Sequence, residues 1–176
     1  MWYGQILTKV LNCFAYGLYP KTLYSIPLYL PAMINTILAT FYERDIRKLI
    51  EELNLFRDEQ NLWKTFGSVK NSAGNLALHI IGGTNYLIGT TLAQTGYVRK
   101  RDQEFTRKGI ERIELVNQLE QLIPLIRETL ATLDMDAEYP IMFDDANRSN
   151  TYVLTQLALH LNYHLGQVNY LRRTLE

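Results

Sequence analysis

From Asn71 through Val98 the chain carries no Asp, Glu, Lys or Arg. Leu76, Leu78, Ile80, Ile81, Leu87 and Ile88 fall all round a helical wheel, so a helix built from this segment is apolar on nearly every side. Such a helix has to be enclosed, either by lipid or by other helices. Asn75, His79, Asn85, Gln94 and five glycines make the segment too polar and too permissive for a hydrocarbon span. It reads as the central helix of a bundle, over about Ala73–Gln94, with Ser72 as N-cap.

Three further segments have helical periodicity. Ile34, Leu38, Tyr42, Ile46, Leu49, Leu53 and Phe56 form one face of a helix, with Glu43, Arg44, Lys48, Glu51 and Glu52 on the wet side. Ile113, Val116, Leu119, Ile123, Ile126 and Leu130 give the inner face of a helix over about Gly109–Leu133, kinked at Pro124. The last helix runs over about Thr151–Leu175, capped by Ser149 or Asn150. No strand pattern competes, so the fold class is all-α. The connections are longer than the two to eight or so residues usual in bundles, which permits crossovers in place of simple up-down-up-down order.

Residues 1–32 read differently. Only Lys9 and Lys21 are charged before Glu43, and Pro20, Pro27 and Pro31 interrupt the stretch. Pro27 and Pro31 argue against a spanning helix, and a secretory signal lacks its basic start and cleavage site. The stretch is expected to be an irregular apolar leader or docked arm, with Met33 a candidate natural start and residues 33–176 the bundle domain. Cys13 is the one cysteine, so no disulfide forms within the chain and a cysteine zinc finger is excluded. That usage fits a reducing, cytoplasmic setting. Eighteen basic and eighteen acidic residues balance, which argues against a nucleic-acid partner.

The chain has three histidines, His79, His160 and His164. A spacing of four puts His160 and His164 on one helix face, one turn apart, in a polar line with Gln156 and Gln167. His79 stands on the most apolar helix. Burying three unpartnered imidazoles is costly, and converging them on one metal ion removes that cost. Position 161 is Leu, so the His-Glu-x-x-His protease motif fails. Leu76, Leu157 and Leu161 occupy the positions three before each His, so the paired Glu-x-x-His motif of di-iron bundles fails too.

The strings Asn71-Ser72-Ala73-Gly74-Asn75-Leu76-Ala77-Leu78-His79, with Gly82-Gly83 after it, and His160-Leu161-Asn162-Tyr163-His164-Leu165-Gly166-Gln167 resemble the DinB/YfiT-like superfamily of metalloenzymes. Thr95-Gly96-Tyr97-Val98-Arg99, followed by Asp102, Glu104 and Phe105, resembles a little-characterised branch of it. The similarity covers about residues 33–175. It implies a four-helix bundle with crossover connections and one divalent metal held by His79, His160 and His164. It also implies a transferase or isomerase that uses a low-molecular-weight thiol.

Three imidazoles leave a metal position open for water or a thiol. Imidazole suits zinc, nickel, copper and iron alike, and the expected ion is zinc or nickel, with iron or manganese as alternatives. The expected function is a thiol-dependent transferase or hydrolase acting on a small molecule. No protein group is identified as the catalytic residue. Asn75, Gly83, Tyr86 and Gln167 are candidates for the surrounding pocket. The Arg99-Lys100-Arg101 run can meet an anionic substrate but more commonly marks a solvated loop. The competing readings are a non-catalytic metal-binding stress-response bundle and a plain helical scaffold, dimeric and metal-free.

Overall fold

The computed structural model describes residues 29–176, with side chains from Ile34 on. The leader expected at 1–32 lies almost wholly outside the described residues, and so does Cys13. Pro31–Glu176 forms one compact unit. Its helices are α1 (Tyr29–Asn54), α2 (Ala73–Thr84), α3 (Arg101–Thr106), α4 (Arg112–Thr132) and α5 (Asn150–Leu175). A 3-10 turn covers Glu59–Trp63, and a π-helical segment, Asn85–Thr90, continues α2. Among the described residues there are only two isolated β-bridges and no strand. None of the described helices is long and apolar enough to cross a membrane.

The expected stripe on α1 is the core: Leu38, Tyr42, Ile46, Leu49 and Leu53 are all at most 4% exposed, with Phe56 just past the helix end. Burying each such side chain contributes about 1.5–3 kcal/mol. α1 starts at Tyr29, earlier than the prolines suggest. Pro31 falls in the first turn, where the missing N–H has no helical partner to lose.

Side-chain bonds fix the helix directions. Tyr42 donates to the Leu154 carbonyl, Asn162 to Asp45, and Asn169 and Arg172 to Glu52, so α1 and α5 run parallel. Asn35 reaches the Leu130 and Leu133 carbonyls and Glu43 meets Arg127, so α4 runs against α1. The π segment faces Leu125 through Gly89, while Trp63, near the end of α5, packs on Gly74 at the start of α2. α2 therefore runs parallel to α4 and against α5. The order is up-down-down-up, and the crossover is the 91–111 connection that carries α3. A Cβ at Gly74 would come within 2.6 Å of the Trp63 ring, so this approach requires glycine.

Three expectations need correction. The apolar helix expected over Ala73–Gln94 is α-helical only to Thr84. Beyond it, Thr91 N–H bonds to the Tyr86 carbonyl and Ala93 N–H to that of Ile88, five residues back. The Tyr139 hydroxyl takes the Leu87 carbonyl at 2.6 Å, and a side chain inserted in this way opens the normal ladder. Ile113 is 60% exposed, not part of the inner face. The α4 stripe is centred on Leu115, Leu119, Leu122 and Ile126, and Ile113 lies on the far side of the wheel. Glu52 is buried, not on the wet side, because Arg172 Nε and Asn169 Nδ2 saturate its carboxylate at 2.7 and 2.8 Å.

Candidate metal centre

α2 and α5 bring the three histidines together. Ser72 caps α2 by accepting from Asn75 N–H, and Ser149 caps α5 by accepting from Tyr152 N–H. These caps start the two helices in the register that puts His79 opposite His160 and His164. The Nε2 of His160 lies 3.0 Å from Nε2 of His79 and 3.1 Å from Nε2 of His164. One ligand atom from each of the three lies within 4.8 Å of the others, close enough to hold a metal ion.

The outer ring nitrogens determine which way the inner ones point. Nδ1 of His79 lies 2.9 Å from Oε2 of Glu104, and an ionised carboxylate only accepts. His79 therefore carries a proton on Nδ1, and the neutral form of the ring presents a lone pair at Nε2. Nδ1 of His164 lies 2.6 Å from Oε1 of Gln167, an amide oxygen that also accepts. Its Nε2 is a lone pair too. His160 has one proton to offer at most, so it can satisfy only one of its two Nε2 contacts. At least two lone pairs are left facing each other, an arrangement that suits a shared cation.

The spacing also fits one ion. Two imidazole nitrogens about 2.0–2.1 Å from one ion stand about 3.0 Å apart at a right angle and about 3.4 Å apart at the tetrahedral angle. Burial, reinforced by the charges of His164, His79 and Arg99, pushes His160 down to about 4. Burial and His79 also lower His164, against the opposing bond from Gln167. Both rings are therefore neutral at neutral pH, the form in which an imidazole can hold a metal.

Sequence reasoning named Glu104 and Arg99 without assigning either to the histidine site. Arg99 Nε and Nη2 bind the two oxygens of Glu104 at 2.7 and 2.9 Å. Burial alone would raise the Glu104 carboxyl, but the bonds from Arg99 and His79 outweigh it and hold it below the ordinary carboxylate range. The Arg99-Lys100-Arg101 run is therefore not simply a solvated loop: the Arg99 side chain is 17% exposed and that of Glu104 only 6%. Gly82, one turn beyond His79, makes room for this carboxylate. A Cβ there would collide with it. Glycine at that place, with an acid on the following connection, was the available signal. Phe105 packs on the other side of His79, with ring centroids 5.0 Å apart.

The four pocket candidates separate. Gly83 lines a cavity of about 420 Å³ that opens beside His79 and His160. Gln167 orients His164. Asn75 is buried outside the cavity, and its amide donates to the carbonyls of Glu104 and Arg107. It thus fastens the end of α3 to α2 and keeps Glu104 in reach of His79. Tyr86 is not among the cavity-lining residues: its place is the π segment, where its carbonyl accepts from Thr91.

The family described as "Protein of unknown function (DUF1572)" matches residues 29–176. The chain belongs to that family. No curated protein and no solved structure matches it. The DUF1572 match spans both histidine-bearing helices and the connection that supplies Arg99 and Glu104.

Proposed function

We propose that this DUF1572 chain is a DinB/YfiT-like metal-binding protein whose three-histidine site serves a thiol-dependent transferase or hydrolase acting on a small molecule. The observation that carries the reading is the convergence of three Nε2 atoms, with the outer nitrogens of two of the rings, His79 and His164, held by Glu104 and Gln167. His79, His160 and His164 would hold one divalent ion, with zinc or nickel the best suited and iron or manganese also compatible. When bound, such an ion supplies Lewis acidity, which lowers the pKa of a water or thiol ligand.

The chain's own residues do the rest. Glu104 and Gln167 fix the orientation of two imidazoles and raise their basicity. Arg99 holds Glu104 in place and keeps it ionised. Ile80, Leu87 and Phe143 give the adjoining cavity apolar walls that exclude water from a bound substrate. Among the described residues the cluster has three ligands, and a closed structural site would need a fourth. This favours the enzymatic reading over a non-catalytic metal bundle.

The test is turnover of a low-molecular-weight thiol with a chromogenic aryl halide, where sulfur displaces halide and the thiol proton leaves to solvent. Metal-loaded protein should accelerate the reaction, and His164→Ala or a chelator should abolish the acceleration. Metal binding without acceleration by any of several thiols would overturn the enzymatic reading.

A further inference from the structure

We propose that the cavity beside the histidines takes a small zwitterion, an α-amino acid or close derivative, with its carboxylate on Arg101 and its ammonium on Asp144. This rests on the reading above for the cavity being a substrate site, and it names the substrate class. Of the charged side chains lining the cavity, Arg99 is already engaged by Glu104. Arg101 and Asp144 are both exposed at the cavity and have no hydrogen bond or ion pair among the described residues. They come from different connections: Arg101 opens α3 after α2, and Asp144 sits between α4 and α5.

The pair offers one charge of each sign. Within the one cavity a simple anion leaves Asp144 unpaired, and a simple cation leaves Arg101 unpaired. A zwitterion satisfies both. The volume of about 420 Å³ suits a small ligand, and Ile80, Leu87 and Phe143 provide the apolar surface for its side chain.

The backbone at Asp144 shows how that carboxylate is placed. Phe143 N–H bonds to the Ala146 carbonyl at 2.9 Å and Ala146 N–H bonds back at 3.2 Å, closing a two-residue turn. Its two central residues, Asp144 and Asp145, have φ of 51° and 56°. Asn-Gly is the favoured pair for a turn of this kind, because both central residues are left-handed. Asp is among the few side-chain-bearing residues that adopt this conformation, so the turn forms without glycine. Here it keeps a carboxylate at the cavity.

The experiment is calorimetric titration of the full chain, zinc-loaded and zinc-free, with three probes. L-Leucine carries both charges, N-acetyl-L-leucine only the carboxylate and isoamylamine only the ammonium. L-Leucine should bind most tightly. Arg101→Gln should weaken leucine and N-acetyl-leucine by up to roughly fivefold, as for an exposed ion pair, and leave isoamylamine unchanged. Asp144→Asn should weaken leucine and isoamylamine and leave N-acetyl-leucine unchanged. Indistinguishable probes, no leucine binding, or two variants that affect all three probes alike would overturn the proposal. Failure of the metal reading would appear separately, as no zinc uptake. The zinc-free titration would then still test the two charges.

Discussion

Replacing Glu104 by Gln tests how much of the histidine site depends on one buried carboxylate. Gln keeps the shape and one acceptor oxygen but removes the charge and turns the second oxygen into a donor. Glu104 now accepts three short contacts, from Arg99 at 2.7 and 2.9 Å and from His79 at 2.9 Å. With its NH2 group in place of Oε1 the amide faces Arg99 Nε and loses that bond; in place of Oε2 it faces both Arg99 Nη2 and His79 Nδ1 and loses two. Bonds to charged groups are worth about 1.5–3 kcal/mol each, so losing one should cost folding stability by about that much. On a chain of this size that corresponds to a melting temperature lower by roughly 3–12 °C. The outer partner of a liganding imidazole typically contributes about 10–100-fold in metal affinity. Zinc affinity, read by competition with a chromophoric chelator, should therefore fall in that range, with one binding site retained. An unchanged zinc affinity in a folded Glu104→Gln protein would refute the positioning argument, because His79 would then be oriented without the carboxylate.

Three other outcomes follow from the same structure. Gly82→Ala should displace the Glu104 carboxylate and reproduce the loss of zinc affinity with Glu104 itself intact; wild-type affinity would show that the carboxylate does not need that space. Tyr42→Phe removes a buried 2.7 Å bond to the Leu154 carbonyl and should cost about 1–3 kcal/mol in denaturant unfolding without altering zinc binding. Glu52 feels a raising effect from burial, but its bonds from Arg172 and Asn169 prevail and hold it below the ordinary glutamate value of 4.5. Its stabilisation is therefore full above that value and is lost as pH falls through the lower folded value. Glu52→Gln should flatten that part of the stability–pH curve, and an unaltered acid limb would contradict the assignment.

The parts legible in the sequence were those governed by local rules. The α1 stripe, the Ser72 and Ser149 caps and the i, i+4 histidine pair each follow from helix geometry over a few residues. The parts that were not legible depend on distant partners. Glu104 lies 25 positions from His79, and within its own segment it is one charge in a charge-rich run. Only the crossover of the 91–111 connection, fastened by Asn75, brings it to the imidazole. Glu52 likewise reads as a surface charge until α5 supplies Arg172. The π segment was hidden because its cause, the Tyr139 hydroxyl on the Leu87 carbonyl, comes from the far side of α4. Ile113 was misplaced because a stripe of Val116, Ile123 and Ile126 tolerates a small rotation, and Leu115 and Leu122 determine it.

The most direct test is metal content. Protein purified without a histidine tag, loaded with zinc and dialysed, should retain about one ion per chain by elemental analysis, and His160→Ala should retain almost none while keeping its helical circular dichroism. Retention of the same metal by folded His160→Ala, or no metal in the wild type with a melting temperature indifferent to added zinc and nickel, would contradict the three-histidine site.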